Sequence, residues 1–348
     1  MKLQQLRAFV KVLESGSFSE AALELGISQS TLSYTIGELE RELGVKLFER
    51  GRFGAVATDA GRAIESHVRT MLRFENAIFQ EASLAKASIE GYLRVATFRS
   101  VASQILPSIM AAFKRQFPDL VLELIEMECG RDMLKQALDR GHCDVAVTQV
   151  SEDELDIEDN TLHWELMRES YVAILPKSEA PKLEATTTAL RAAYPSAQPD
   201  EERSRYVVSW RQLTNYAPIM HGGHNCGELI HEQLERALVT VPAIQLVRDD
   251  FTSMQLAAQG LGVSVMPRLA SYPLHDGVIR ADIVEPLRRV IEVLLLPSSL
   301  KIPATRLLLN ALKQRFPESS LPTFNVRQQV AVEPLVESDV VSSRRFIN

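Results

Sequence analysis

The segment SFSEAALELGISQSTLSYTIGELERELG, residues 17–44, contains two short helical patterns that are separated by a single glycine, Gly26. In the first pattern Ser17 and Glu20 form an S-x-x-E capping box, and the alanine pair that follows is small enough for another helix to approach closely. Gly26 can adopt the left-handed backbone conformation that a tight turn requires. We therefore predict a short helix, a tight turn and a second helix.

The second helix follows Ser28, a good capping residue, and its two faces differ. Apolar residues at three- and four-residue spacing predict a buried face of Leu32, Ile36, Leu39 and Leu43. The other face carries Gln29, Ser30, Ser33, Tyr34 and Gly37. This face fits either a helical bundle with a serine-rich surface or a helix-turn-helix whose second helix enters the DNA major groove. Gln and Ser side chains can bond to base edges there, and Tyr can stack or bond to a phosphate.

The stretch GVKLFERGRFGAVATDAGR, residues 44–62, favours the DNA-binding interpretation. It places Lys46, Arg50 and Arg52 just beyond the second helix, on a predicted two-stranded wing. Cations in that position would contact phosphates and the adjacent minor groove.

Residues 1–62 resemble the winged helix-turn-helix of LysR-type transcriptional regulators. The matching positions occur in the right order: Phe9, Gly16–Ser17–Phe18, Ala21–Ala22, Leu25, Ser28–Gln29–Ser30, Leu32–Ser33, Ile36, Leu39–Glu40, Leu43–Gly44, Leu47–Phe48, Arg50, Thr58 and Ala60–Gly61. The resemblance implies a homodimer or homotetramer that binds a partly palindromic double-stranded operator and responds to a small effector, with RNA polymerase as a candidate partner. By motif position it implies DNA contacts from Gln29, Ser30, Ser33, Tyr34, Arg50 and Arg52. Many family members carry a longer polar or basic side chain where this chain has Tyr34.

The 348 residues suffice for two or three domains, and 46% apolar with 24% charged residues is typical of a soluble globular protein. No apolar run approaches the roughly 20 residues that would span a bilayer. The N-terminus is amphipathic and unlike a signal peptide, so we expect a cytoplasmic protein that is not bound to membranes. The net charge of −7 argues against nonspecific coating of nucleic acid, although a local basic patch is compatible with it.

A long helix is predicted from Thr58 to about residue 88, ended by Gly91, and it links the DNA-binding domain (residues 1–62) to the rest. Its apolar positions have a short coiled-coil spacing: Ile64, Val68, Met71, Ile78, Ala82 and Ala85. In the resembled family this linker, here residues 63–90, pairs two copies of the chain. The alternative is a helix that packs on its own domain.

From Tyr92 strands alternate with helices, which predicts an α/β region with a parallel sheet. Two such sets resemble the two-lobed, periplasmic-binding-protein-like effector domain of the same family, over residues 91–317. We expect lobe I at 92–170 and 270–317 and lobe II at 171–269, with crossings near 168–174 and 267–272. Residues 178–205 are predicted to be a surface insertion, and residues 318–348 a flexible tail.

Ligands of such sheets bind beyond the carboxyl ends of the strands. The loops expected there supply the candidate effector residues Thr97, Arg99, Ser100, Cys129, Thr148, His221, Gly223 and His224. Hydroxyls, free amides and an arginine favour a small anion such as a carboxylate. Two side-chain roles remain open: Thr97 and Ser100 could simply cap the following helix, and Arg99 could be a solvent-facing loop cation.

Cysteine and histidine residues offer another function: a cytoplasmic small-molecule, redox or metal sensor that uses the same clamshell. Cys129 and Cys226 fall in expected cleft loops, and HGGHNCGELIH, residues 221–231, contains three histidines. Its spacing matches no zinc module, so we expect no metal site. Cys143 is expected to be a buried core thiol. No catalytic motif occurs, so we predict neither an enzyme nor a bound cofactor.

Overall fold

A computed structural model describes residues 1–51, 54–84, 86, 88–128, 130–151, 161–193, 204–221, 230 and 245–324. The N-terminal unit consists of α1 (Leu3–Ser15), α2 (Phe18–Glu24) and α3 (Gln29–Leu43). As predicted, Ser17 caps α2 by accepting a hydrogen bond from the Glu20 N–H, and Ser28 caps α3 through the Thr31 N–H. The turn between them uses Gly26 at a φ of 66°.

The predicted apolar faces of these helices form one core. The fully buried side chains come from all three helices and from the segment that follows them: Leu6, Phe9, Val12, Ala21, Ala22, Leu32, Ile36, Leu39 and Leu47. Leu43, expected in the buried stripe, is instead 40% exposed because it lies in the last turn of α3.

A two-stranded wing follows α3 and is built from β1 (Phe48–Gly51) and β2 (Gly54–Ala57), which pair antiparallel. Glu40, which is 8% exposed, fixes the wing to α3. Its carboxylate accepts hydrogen bonds from the Leu47 N–H at 2.9 Å, the Phe48 N–H at 3.4 Å and the Lys46 ammonium at 2.7 Å. The buried carboxylate thus satisfies backbone donors at the start of β1 and sets the angle between helix and wing.

The linker helix α4 (Asp59–Leu84) begins as predicted, because the Thr58 hydroxyl accepts a hydrogen bond from the Gly61 N–H at 3.0 Å. It ends a turn earlier than expected. Gly91 is not its terminator but the first residue of a strand. Along α4 one polar face is buried against the first lobe of the chain itself, while Met71, Ile78 and Phe79 are exposed.

The first lobe contains a sheet in the order β4-β3-β5-β12-β6. The strands are β3 (Gly91–Thr97), β4 (Leu120–Glu126), β5 (Val145–Ser151), β6 (Leu162–Pro176) and β12 (Arg288–Leu295). The helices are α5 (Arg99–Gln104), α6 (Leu106–Gln116), α7 (Arg131–Asp139) and α11 (Pro303–Arg315). The three strands β3, β4 and β5 are parallel as predicted, whereas β12 runs antiparallel to both β5 and β6.

The second lobe is built on the other half of β6. Its further elements are α8 (Ala180–Ala193), β7 (Tyr206–Val208), α9 (Trp210–Leu213), β8 (Pro218–His221), β9 (Gln245–Val247), α10 (Asp250–Ala258), β10 (Val263–Pro267) and β11 (Val278–Ile283). Strands β10 and β11 flank β6, and β8, β9 and β7 extend the sheet outward. Among the described residues, no helix combines the length and the apolar character needed to cross a membrane.

Two boundaries within the effector domain differ from the sequence-based expectation. Strand β11 pairs with β6 and β7 of the second lobe, so the chain returns to the first lobe between residues 283 and 288 rather than near 267–272. The expected boundary of lobe II at residue 269 is therefore wrong. Residues 180–193 of the expected insertion form helix α8, which buries Leu183 against the second-lobe core. Periodicity identifies short strands and weakly amphipathic helices poorly. Strand β11 and helix α8 are elements of these two kinds.

The beginning of the expected flexible tail is packed on the first lobe. Leu321 is 2% exposed, and Phe324 stacks edge-on against Trp164. The backbone of Phe324 exchanges two hydrogen bonds of 2.9 Å with the Asn310 side chain. Residues 325–348 of the tail lie outside the described part of the chain.

The Glu40 contact gives a pH-dependent prediction. Burial raises the pKa of Glu40, but the hydrogen bonds from Lys46 and from the Leu47 and Phe48 N–H groups outweigh burial and leave this pKa below its ordinary value. The ionised form therefore stabilises the folded unit above the ordinary glutamate pKa, and this stabilisation is lost as pH falls through the lowered pKa. We expect Glu40→Gln to reduce the stability of α3 by about 1–3 kcal/mol at pH 7.

Amide hydrogen exchange of residues 36–48 measures this loss, with Glu49→Gln as the control because Glu49 is exposed on the wing. The difference between Glu40→Gln and the wild type should shrink at low pH. Equal exchange in both proteins at pH 7 would contradict the role of Glu40.

Candidate DNA-binding interface and effector cleft

The polar face of α3 is exposed in the structure. Gln29, Ser30 and Tyr34 are exposed, with 69% of Tyr34 accessible, and Ser33 is half-buried. The Ser30 hydroxyl lies 2.8 Å from the Ser28 hydroxyl, so it also supports the helix cap. The buried leucine face lies opposite, and short side chains leave the α3 backbone open to close approach.

The wing follows α3 and is attached to it through Glu40. Arg50 is on β1 opposite Ala55, but its side chain is outside the described part of the structure, as is the whole of Arg52. Their contact with phosphates therefore stays a prediction. Two other cations are exposed here: Lys46, just beyond α3, and Arg41, in its last turn, have side chains that are 78% and 69% accessible.

In the first lobe, two of the candidate effector residues already have partners within the chain. Thr97 is fully buried, and its hydroxyl donates to the Val147 carbonyl at 2.8 Å. This hydroxyl ties β3 to β5 instead of capping α5. Ser100 is 3% exposed and accepts a hydrogen bond from the Arg289 guanidinium at 3.1 Å.

Arg289 is the residue that sequence reasoning missed. Its guanidinium, 4% exposed, donates to Glu169 at 2.7 Å, to the Gln149 amide oxygen and to Ser100. The other carboxylate oxygen of Glu169 accepts from the Leu269 N–H at 2.7 Å. These contacts join the ends of β5 and β12, the start of α5 and both lobes at one place, which we call the hinge cluster: Ser100, Gln149, Glu169 and Arg289. The only sequence signal was a charged pair at the start of the apolar run VIEVLLL.

A second buried carboxylate, Glu292, lies on the opposite face of the same sheet. It is 1% exposed and pairs with Arg131 at the start of α7, with an N–O distance of 2.7 Å. Burial raises the pKa of Glu292, although Arg131 and His163 oppose this effect. The neighbouring Thr148 is fully buried, and its hydroxyl has no hydrogen-bond partner among the described residues.

Arg99 lies at the edge of the cleft and is half-exposed. It contacts Glu126 of the first lobe at 3.4 Å. The charge of Arg99 also affects Asp249 of the second lobe. The pKa of Asp249 is lowered mainly by the hydrogen bond from Thr252, and the charge of Arg99 lowers it further. Arg99 thus pairs with a residue of the first lobe, and its charge acts on a carboxylate of the second lobe.

The other candidates from the second lobe are only partly described. His221 ends β8, but its side chain is outside the described part, as are Gly223, His224 and Cys226. Cys129, which follows β4 of the first lobe, is also outside the described part. The metal and redox hypotheses on these residues are therefore untested. Cys143 is the buried core thiol that was predicted, and burial raises its pKa to about 12.

Comparison with known proteins agrees with both halves of this geometry. Residues 3–62 match the family described as bacterial regulatory helix-turn-helix protein, lysR family, and residues 86–317 match the LysR substrate binding domain. A curated relative, the probable HTH-type transcriptional regulator LrrA of Synechococcus elongatus, is 33% identical over 91% of this chain and 98% of its own length. The chain belongs to the LysR family.

This LysR-type chain is thus a transcriptional regulator with a DNA-binding and an effector-binding domain, not an enzyme. Solved structures share its fold. A full-length OxyR variant from Pseudomonas aeruginosa has a TM-score of 0.64 at 21% identity and covers 90% of this chain and 95% of its own. Full-length CbnR complexed with its target DNA has a TM-score of 0.58 at 20% identity, covering 88% of this chain and 100% of its own.

The hinge cluster predicts a non-additive stability effect. Arg289→Met should lower the free energy of unfolding by about 3–5 kcal/mol, because Glu169 then remains buried without a cation. Adding Glu169→Gln should restore a large part of that loss, since no charge is left unpaired while an acceptor for the Leu269 N–H is kept.

Urea unfolding followed by the fluorescence of Trp164 and Trp210, one in each lobe, measures the effect. Arg99→Met removes an exposed cation and serves as the control. A double variant as unstable as Arg289→Met alone would show that the buried charge is not the cause.

Proposed function

We propose that this LysR-type regulator reads a partly palindromic operator with the exposed face of α3. The observation that carries the proposal is the separation of the two faces of that helix. Leu32, Ile36 and Leu39 are fully buried, while Gln29 and Tyr34 remain accessible at the surface. A slender polar edge of this kind fits the major groove, and Arg50 and Arg52 of the wing would add phosphate contacts.

Self-association of two or four copies is part of the same proposal. Met71, Ile78 and Phe79 of α4 are 43%, 69% and 53% exposed, on the side of the helix that is not buried by the chain itself. Exposed apolar residues in such a row are typical of a surface that pairs with another copy. A dimer would also present two copies of α3, as a palindromic operator requires.

For the effector we propose a small anion that binds between the lobes, near Ser100 and Arg99. A carboxylate placed there would accept a hydrogen bond from the Ser100 hydroxyl. It would accept another from the guanidinium N–H of Arg289 that now donates to Ser100. Thr148, the other candidate on β5, lies on the opposite face of the sheet beside Glu292 and would not contact a ligand at Ser100. Because Glu169 already offsets the charge of Arg289, hydrogen bonding rather than net charge would select the ligand.

Regulation then follows from lobe closure. An effector that contacts both lobes binds the closed arrangement better and shifts the population toward it. Within an oligomer this closure would change the angle between the DNA-binding units. We place this activity in the cytoplasm, where the operator is, with RNA polymerase as the further partner.

The DNA-binding proposal predicts that Ser33→Glu weakens operator binding at least about tenfold, because a carboxylate on α3 would be repelled by phosphates and would not fit the base edges. Gel-shift titration with a duplex selected from random sequence by the wild-type protein measures this. Thr188→Glu adds the same charge at an exposed position of α8 and is the matched control. Equal affinity of Ser33→Glu and Thr188→Glu would refute the role of α3.

The effector proposal predicts that a thermal-shift screen of small organic acids, amino acids and inorganic anions yields a stabilising compound. Ser100→Ala should weaken its binding at least about threefold, because one buried hydrogen bond is lost. Ser103→Ala, an exposed serine of the same helix, should leave binding unchanged. Operator affinity should be normal in both variants. A compound that stabilises Ser100→Ala as well as the wild type would contradict the proposed site.

A further inference from the structure

We infer that α4 couples the first lobe of the effector domain to the DNA-binding unit within a single chain, through Arg69 and Arg73 as positioning residues. Both arginines face the first lobe, at a place where α4 still contacts α1. The inference goes beyond the proposed function, because it concerns the free protein and requires neither operator nor effector.

The first contact is a buried ion pair between α4 and the lobe. Arg73 and Asp144 are each 1% exposed, and the Arg73 Nε lies 3.0 Å from the Asp144 carboxylate. Asp144 also accepts from the Arg94 N–H at 2.9 Å and from the Arg94 guanidinium at 3.2 and 3.3 Å. One carboxylate therefore binds the linker helix and the first lobe sheet at the same time. Breaking a pair buried this deeply is strongly unfavourable.

The second contact reaches the DNA-binding unit and forms an ionic chain of four residues: Glu14, Arg69, Glu65 and His142. Glu14 of α1 lies 2.9 Å from Arg69, Arg69 lies 3.0 Å from Glu65, and Glu65 lies 2.8 Å from His142 of the first lobe. The pKa of Glu65 is below its ordinary value: burial raises it, but the hydrogen bonds from His142 and Arg69 outweigh burial.

At Gly141 the backbone of the first lobe allows α4 to lie very close. Gly141 has a φ of 72°, and a β-carbon on it would lie 2.8 Å from the Arg69 β-carbon and 3.2 Å from the Arg73 guanidinium. No larger residue fits without moving α4 away. Farther along α4, Asn76 and Gln80 hydrogen-bond to the Tyr92 carbonyl at 2.8 and 3.0 Å. The helix is thus held to the lobe from Glu65 to Gln80.

Burial distinguishes these contacts from ordinary surface ion pairs. The Arg69 and Glu65 side chains are 6% and 17% exposed, whereas those of Lys135 and Asp139, a pair on α7 of the same lobe, are 32% and 48% exposed. Water screens the exposed pair more than Arg69 and Glu65, which both belong to α4 and form the centre of the chain of contacts. The outer members, Glu14 and His142, are 44% and 40% exposed. Strand β5 then connects the contact to the cleft, because it starts just after Asp144 and contains Gln149 of the hinge cluster.

The test introduces a substitution in the first lobe and measures its effect on hydrogen exchange in the DNA-binding unit. His142→Ala should reduce the hydrogen-exchange protection of amides in Leu3–Ser15 about threefold, although His142 belongs to the first lobe and is 40% exposed. His142→Arg should restore protection by giving the Glu65 carboxylate a hydrogen-bond donor again. Lys135→Ala, which breaks the exposed pair in the same lobe, should leave α1 unchanged.

Glu65→Ala provides a second measurement. If the ionic chain transmits the effect, Glu65→Ala alone should lower α1 protection at least as much as His142→Ala, and the double variant should lose no more than Glu65→Ala alone. The inference is overturned if His142→Ala raises exchange only in the first lobe, or if the two losses simply add. Since no DNA or small molecule is present, failure of this experiment leaves the operator and effector tests unaffected.

Discussion

Helix α4 has to satisfy two partners at once, and this constraint shapes the rest of the molecule. Near its start, Val68 is buried in the core of the DNA-binding unit. From Arg69 onward its buried residues are mostly polar and meet the first lobe: Arg69, Arg73, Asn76, Gln80 and Ser83. The position of a polar helix face is fixed by the geometry of its hydrogen bonds and not only by the area that it buries, because each buried donor needs an acceptor. The apolar residues left over then lie on the remaining side, where they are available to a second copy of the chain.

Two buried carboxylates of the first lobe lie at places where different parts of the fold meet. Asp144 lies at the entrance to β5 and binds two arginines, whereas Glu169 lies where β6 passes from one lobe to the other and binds Arg289. In both cases a carboxylate accepts backbone N–H groups as well as a guanidinium. Such a site costs desolvation energy, which close pairing offsets only in one geometry. The charges therefore fix angles between elements more than they add to stability.

Much of the fold could be predicted because its signals are local. Capping by Ser17, Ser28 and Thr58 and the periodic apolar residues of α3 involve positions close to each other in sequence, and the structure has them as expected except at Leu43. The elements that were missed depend on distant partners. Strand β11 exists because it pairs with β6, which lies far earlier in the chain, and nothing in the short sequence of β11 indicates which lobe it joins.

The candidate effector site also combines residues that local sequence identified with residues that come from distant parts of the chain. Strand order predicted Ser100 and Thr148 as cleft residues, but Arg289, which bonds to Ser100, and Glu292, which lies opposite Thr148, come from a strand near the other end of the chain. The first lobe is bound to α4 and through it to α1, and these contacts do not include the second lobe. It is joined to the first lobe by β6 and by the return between β11 and β12. Glu169, Leu269 and Arg289 meet close to these two crossings, so a ligand bound at the hinge cluster would act where the two lobes are joined.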